Sequence, residues 1–445
     1  MIQNAHNLEF SARFFIAFLM LFLLGMGGAA ASSPAALLSP LGNQSSMMFH
    51  YDAGHSGDYT PVAGTTGTTV SQLWSFTTGY SVDSSPAVVN DVVYVGSGDG
   101  KVYALNASFG TLIWSYYTSG GPVSGPWQQN GLVWGGVFSG PAVANGVVFV
   151  GCADLEGTVY ALNAATGAPI WNYTTGSPIT SSPTVANGRT YVGSGDGKVY
   201  ALNATNGALD WRYTIGNSSV WSSPTVANDV VYIGSYDVEG KVYALNASSG
   251  SPIWNYTTGR YIRSSPAVAN GVVYVGSWDD KVYALNATNG ALIWNYTTGM
   301  LVDSSPAVAN GVVYVGSGDD KVYALNATNG AQIWDYTTGG EVSSSPAVAN
   351  GVVYVGSWDN KVYALNATTG TLLWNYSTER YVSSSPAVVN GIVYVGSGDG
   401  KVYALNTMSQ NESPWKTPYL VSLMLILIIC FLFVYLIIRK NRKEQ

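Results

Sequence analysis

From Gln72 to Asn406 the apolar and polar positions of the chain repeat with a period near 40 residues, and each period holds four short apolar runs. One copy, starting at Ser344, reads SSPAVANGVVYVGSWDNKVYALNATTGTLLWNYS. These runs predict four strands: A (SSPAV), B (VVYVGS), C (KVYALN) and D (LLWNY). Between A and B stands Asn-Gly, as at Asn270-Gly271 and Asn310-Gly311, the dipeptide that most favours a two-residue hairpin turn. Strand B is apolar at consecutive positions, so both of its faces must be covered. Copies stacked face to face meet that need, and a period of about 40 residues with several strands per unit is that of a propeller blade.

The prolines of the S-x-P element count the copies: Pro86, Pro141, Pro183, Pro224, Pro266, Pro306, Pro346 and Pro386, spaced 55, 42, 41, 42, 40, 40 and 40 residues apart. Strands A, B and C each occur eight times. Strand D follows blades one to seven, at Trp114, Trp171, Trp211, Trp254, Trp294, Trp334 and Trp374, and occurs once ahead of the first A strand, at Trp74. The last copy stops at Asn406 without a D strand, so the strand around Trp74 must complete it and close the ring. The expected fold is all-β, an eight-bladed β-propeller of four-stranded blades closed by the N-terminal strand.

The C–D unit makes a resemblance specific. Ala364-Leu-Asn366-Ala-Thr-Thr369-Gly370-Thr-Leu-Leu-Trp374 resembles the tryptophan-docking motif, A-x-D-x-x-T-G-x-x-x-W, of pyrroloquinoline-quinone-like (PQQ-like) propeller repeats. Those repeats build the propellers of the barrel-assembly lipoprotein and of quinoprotein dehydrogenases. Phe49 to Gly57 (FHYDAGHSG) is similar to the segment that often precedes the first blade. The resemblance implies that Trp74, Trp114, Trp171, Trp211, Trp254, Trp294, Trp334 and Trp374 each dock against the neighbouring blade. Two departures stand out: Asn replaces Asp throughout, and the motif Thr is often Asn or Ser, or Phe at Phe109.

The ends of the chain read differently from its middle. Phe14 to Leu24 is an apolar run after Arg13, and Ala29-Ala30-Ala31-Ser32 offers a small-residue cleavage site, so residues 1–31 read as a signal peptide, with an uncleaved anchor as the alternative. Tyr419 to Ile438 is twenty residues without a charge, followed by Arg439, Lys440, Arg442 and Lys443. That is the length of a transmembrane helix, and the basic tail, 439–445, places its end in the cytoplasm. The expected order is a lead-in segment (32–71), a propeller (72–406), a linker (407–418) and the span (419–438), with the propeller extracellular on a single-pass protein of the cell membrane.

Composition supports this division. Gly (52) and Tyr (31) are abundant and only 10% of residues are charged, as suits many buried strands joined by tight turns. Between Ser32 and Pro418 stand 13 Lys+Arg against 23 Asp+Glu, a net charge of −10. So acidic a surface repels phosphate backbones, and nucleic acid is not an expected partner. Asn-x-Ser/Thr sequons are dense, mostly as by-products of the repeated NAT and NYT strings, and in an exported chain they are glycosylation acceptors.

The quinoprotein resemblance implies adjacent cysteines, a Ca²⁺ bound by Glu and Asn, and an Asp base. None of these is evident. Cys152 is the only thiol in the exported region, Cys430 lying in the span, and His6, His50 and His55 all precede the repeats. His50, His55, Asp52 and Asp58 do not imply a fixed ligand geometry. Each B–C turn carries an acid (Asp99, Asp154, Asp196, Asp237, Asp279, Asp319, Asp359 and Asp399), read as turn residues paired with nearby lysines. The GSGDGK string lacks phosphate-loop spacing. No cofactor, metal or catalytic residue is expected.

Comparing the copies with one another points to one face. With strands running alternately down and up, the B–C turns and D–A connections share one face of the disk, and the A–B and C–D turns share the other. The second face hardly varies. The first varies at Asp83, Trp221, Arg263 and Asp303 just before S-x-P, at Arg260, Tyr261, Glu341, Arg380 and Tyr381 nearby, and at Tyr236, Trp278 and Trp358 in B–C turns. The longest insertion adds Trp127 and Trp134 to it. Trp, Tyr and Arg are the residues that binding hot spots favour. The expected function is a non-catalytic binding or scaffolding module for a protein or glycan at the cell surface. The alternatives are a PQQ-dependent oxidoreductase and an envelope-assembly scaffold.

Overall fold

The computed structural model describes residues 46–47, 58–59, 66–118, 127–129, 132–216 and 219–408. The expected signal peptide, transmembrane span and basic tail lie outside the described residues. Among the described residues no helix is long and apolar enough to cross a membrane.

Eight antiparallel sheets follow one another around a ring, each with its strands in the order A-B-C-D. In blade 5 these are Ala267–Ala269, Val272–Ser277, Lys281–Asn286 and Leu292–Thr297. Strand B is buried on both faces, as at Val92–Gly96. The A–B turns take positive φ at both central residues, 51° at Asn270 and 77° at Gly271, the geometry that matches the twist of a two-residue hairpin. Asn90-Asp91 and Asn228-Asp229 hold the same turn without glycine.

Closure is made by strand. Thr66–Thr77 pairs antiparallel with Lys401–Met408, with Trp74 opposite Ala404, in the register that places Trp114 opposite Ala104 in blade 1. Two short strands of the lead-in segment also join the ring. Ser46–Met47 pairs antiparallel with the inner strand Ala142–Ala144 of blade 2, and Asp58–Tyr59 runs parallel to the inner strand Ala347–Ala349 of blade 7.

The outer tryptophans couple the blades. Trp74, Trp114, Trp171, Trp211, Trp254, Trp294 and Trp334 each donate Nε1–H, at 2.8–3.0 Å, to the Ala carbonyl of the next blade's C–D turn. Tyr94, Tyr191, Tyr232, Tyr274, Tyr314 and Tyr394 of strand B donate their hydroxyls to the Ala carbonyls that take these indole bonds. Tyr394 and Trp74 share Ala107 this way, which puts Trp74 in blade 8. The indole lies flat on the turn glycine: a Cβ at Gly110, where φ is +67°, would stand 2.6 Å from the Trp74 ring. The Asn that replaces the motif Asp serves equally well, because Asn366 Oδ1 accepts the N–H groups of Thr368 and Thr369.

Seven of the eight prolines follow two serines, and Pro141 follows Ser139-Gly140; the two positions have separate tasks. The first accepts the strand-B glycine N–H of its own blade at 2.8–3.1 Å, in all eight blades. The second accepts a backbone N–H from the preceding blade. The links run from Gly140 to Ser182, on to Ser223, Ser265, Ser305, Ser345 and Ser385, and finally to Ser85, each at 2.8–3.0 Å. Gly140 has no hydroxyl, so the ladder has seven links in an eight-bladed ring.

Candidate binding face

The B–C turns and D–A connections lie together on one face, as the Gly79 N–H to Asp99 Oδ2 bond of 2.9 Å shows for blades 8 and 1. Every B–C turn carries a carboxylate, whereas among the A–B and C–D turns only Asp91 and Asp229 are charged. Charge and sequence variation therefore sit on the same face.

The B–C aspartates are not a free ring of charge. Asp99, Asp196, Asp279, Asp319, Asp359 and Asp399 each accept the hydroxyl of the strand-C tyrosine four residues on. Burial, and then this bond, push Tyr103, Tyr200 and Tyr283 well above the usual phenol range. The lysine pairing read from sequence holds for Asp196 with Lys198, at 2.6 Å, and loosely for Asp279 and Asp359, at 3.7 and 3.8 Å. Lys241, Lys321 and Lys401 pair instead with Glu239, Asp335 and Glu379. A rigid phenol on the same strand reaches the turn at little entropic cost, while a lysine is free to choose among acids.

Over blades 4 to 6 the varying residues form one connected cluster. Tyr236 is sandwiched between Trp221, at 4.1 Å, and Tyr261, at 4.6 Å, and Trp278 stands edge-on to both tyrosines. Arg263 lies over the Trp221 ring at 5.1 Å and pairs with Asp303 at 3.1 Å. Asp303 also accepts the Trp278 Nε1–H. Trp278 is thus half-buried and fixed by its bond to Asp303. Asp303 is fully engaged within the cluster.

Across blades 7, 8 and 1, Trp358 stacks on Tyr381 at 5.3 Å, donates Nε1–H to Ser343 and stays 51% exposed. Asp83 accepts from Ser81 and Ser383. Arg260 and Arg380 are exposed. Glu341 is half-buried, and desolvation, with Asp303 nearby, raises its carboxyl above the ordinary value. Trp127 and Trp134 are at paired register positions of a two-stranded ribbon, Trp127–Gln129 with Leu132–Trp134.

Cys152 is a buried lone thiol, pushed up to about 12 by burial and then by Asp154. Among the described residues no group of three or more His, Cys, Asp or Glu side chains could hold a metal ion.

The family model described as outer membrane protein assembly factor BamB matches residues 60–134, 127–234, 216–301 and 282–412, most of the chain. The chain belongs to this family. Among solved structures, BamB from Moraxella catarrhalis superposes with a TM-score of 0.61 at 21% identity, over 76% of this chain and 100% of that one. Quinohemoprotein alcohol dehydrogenase from Comamonas testosteroni gives a TM-score of 0.69 at 17% identity, over 82% and 80%. At those identities the likeness shows the fold alone. Curated relatives of the BamB-family chain include the beta-alanine-activating enzyme of Danio rerio, 31% identical over 119 residues, and quinohemoprotein alcohol dehydrogenase ADH-IIG of Pseudomonas putida, 29% identical over 154 residues. The matches cover 27% and 31% of this chain, but only 9% and 20% of those proteins.

Proposed function

We propose that this BamB-family propeller is a non-catalytic binding and scaffolding module, tethered to the membrane and exposed outside it, that engages a protein or glycan through its B–C/D–A face. One observation carries the reading: the copies diverge, gain charge and gather aromatic rings on that face, while the opposite face repeats nearly neutral Asn-Gly and NAT turns. Repetition is what packing alone asks of a turn; divergence toward Trp, Tyr and Arg is what a partner surface asks. The chain leaves blade 8 from the repeated face, so a C-terminal anchor would turn the diverse face outward.

Cross-linking of the full chain in its native membrane, with and without Tyr261→Ala and Arg263→Ala, tests the reading. Partner cross-links should fall in the double variant while its melting temperature stays close to the parent's; cross-links that persist unchanged would refute it. Protease added to intact cells should remove the propeller and leave the tail protected.

The second reading, a PQQ-dependent oxidoreductase, draws on the partial match to quinohemoprotein alcohol dehydrogenase. Cofactor absorbance after reconstitution with PQQ and Ca²⁺ would favour it.

A further inference from the structure

The C–D turns are built alike, with one exception. In six of the seven, the residue before the turn glycine is polar: Thr166, Asn206, Ser249, Asn289, Asn329 or Thr369. Its side-chain oxygen accepts the N–H of the residue after that glycine, at 3.0–3.4 Å. Blade 1 has Phe109 there. A phenyl ring offers no such acceptor, and this one stands 75% exposed. Little of it is packed, so blade 1 has exchanged a turn contact for an exposed aromatic ring.

The exception lies beside the point where the chain leaves the ring. The Trp74 indole of blade 8 bonds to the Ala107 carbonyl and lies on Gly110, which flank Phe109 in the same turn. Strand Lys401–Met408 of blade 8 continues past Asn406, the level at which the other blades turn, and Thr66 opposite Met408 carries the same ribbon off this face. Ten residues, 409–418, then lead to the uncharged stretch 419–438. A chain of that length reaches at most ~36 Å. In the same sector Leu73 of blade 8 and Leu112 and Ile113 of blade 1 are 45–48% exposed.

We infer that Phe109 and its aliphatic neighbours seat the repeated face, at blades 8 and 1, on the lipid bilayer that anchors the chain. An aromatic ring flanked by aliphatic side chains settles at the boundary between headgroups and acyl chains. Charge sets the kind of surface. The turns of this face hold no Lys or Arg, so anionic headgroups exert no pull, and Asp91 in the A–B turn of blade 1 keeps the contact shallow and suited to a zwitterionic membrane. A short tether holds the face at high local concentration beside the bilayer, so a contact too weak for a free domain is enough. Aliphatic residues at these strand-D positions recur around the rim, as at Ile170, Ile253 and Ile333; Phe109 marks the sector nearest the tether. The inference rests on the membrane tether of the proposed function and adds which edge of the disk meets lipid.

Full-length protein is reconstituted into phosphatidylcholine vesicles with photoreactive p-benzoylphenylalanine replacing one residue at a time. The sites are Phe109, Asn289 in the matching turn of blade 5 across the ring, and Trp358 on the opposite face. After irradiation, phospholipid adducts read by mass spectrometry should form at Phe109, fall at Asn289 and be lost at Trp358. Phe109→Ser restores the acceptor that Ser249 supplies in blade 4, so its melting temperature should equal or exceed the parent's. The same variant should speed proteolysis of the 409–418 linker about three- to tenfold, as expected for losing a partly immersed phenyl ring. No adduct at Phe109, equal adducts at Phe109 and Trp358, adducts to a second copy of the chain in place of lipid, or linker cleavage unmoved by Phe109→Ser overturns the assignment. Protein that fails to float with the vesicles overturns the tether as well. Protein that floats yet gives no adduct at Phe109 leaves the tether standing, and this assignment alone falls.

Discussion

The serine ladder allows one link to be broken and the missing one added. Ser305→Ala removes the Oγ that accepts the Ser265 N–H at 2.9 Å, with both serines 4% exposed. A buried N–H left unpaired costs about 1–3 kcal/mol. Gly140→Ser supplies an acceptor where the ring has none. Its Cβ would stand 3.2 Å from both Ser182 Oγ and the Ser85 carbonyl, a tight fit that trims the gain. A new hydrogen bond of about 0.5–1.5 kcal/mol and the lower unfolded-state entropy of a non-glycine residue, about 0.4–1 kcal/mol, leave a net gain near 1 kcal/mol after that crowding. Unfolding entropy for a ring of this size is about 0.7 kcal/mol/K. Ser305→Ala should therefore lower the calorimetric midpoint by about 1.5–4 °C, and Gly140→Ser should raise it by about 1–2 °C. Amide exchange at Ser265 should accelerate in the first variant. A midpoint unmoved by Ser305→Ala, or lowered by Gly140→Ser, would refute the view that these serines couple the blades.

Three further outcomes follow from the packing. Trp294→Ala, removing a 7% exposed indole and its bond to Ala327, should cost about 3–5 kcal/mol in a denaturant melt; a cost under 1 kcal/mol would show that the docking contact is dispensable. Deleting residues 66–77 should expose strand C of blade 8 and cause aggregation on sizing columns, and a monomer with a parental melt would count against strand closure. Tyr160 and Tyr394 are pushed by burial from 10.0 to about 12, and Cys152 from 9.0 to about 12. These groups keep their protons longer in the folded chain, so their stabilisation is intact below about pH 9 and is lost as pH climbs toward 12. Tyrosinate absorbance should rise together with unfolding, and free titration of all tyrosines near pH 10 in folded protein would contradict this.

The ring was legible in the sequence because its determinants are local and repeated. Asn-Gly turns recur in six of the eight blades and the Asn-to-Gly-to-Trp spacing in seven C–D units, and the displaced Trp74 strand supplies the one D strand that blade 8 lacks. The two tasks of the serine pair were not legible, since one partner lies in the next blade, about 40 residues away. The same holds for the Tyr236 sandwich and the Asp303 junction, which form only when three blades stand side by side. The lysine pairing of the turn aspartates was legible only in part: it holds at Asp196, Asp279 and Asp359, while the tyrosine hydroxyls that strand C aims back at the turn were not seen.

The account's central claim is that the B–C/D–A face does the binding. Full-length protein carrying Tyr261→Ala with Arg263→Ala, and full-length protein carrying Thr288→Ala with Asn289→Ala on the opposite face, should be compared in one cross-linking experiment in native membranes. The account predicts that the first variant loses its partner cross-links and the second keeps them, with both melting close to the parent. Cross-links lost from the second variant and retained by the first would contradict it.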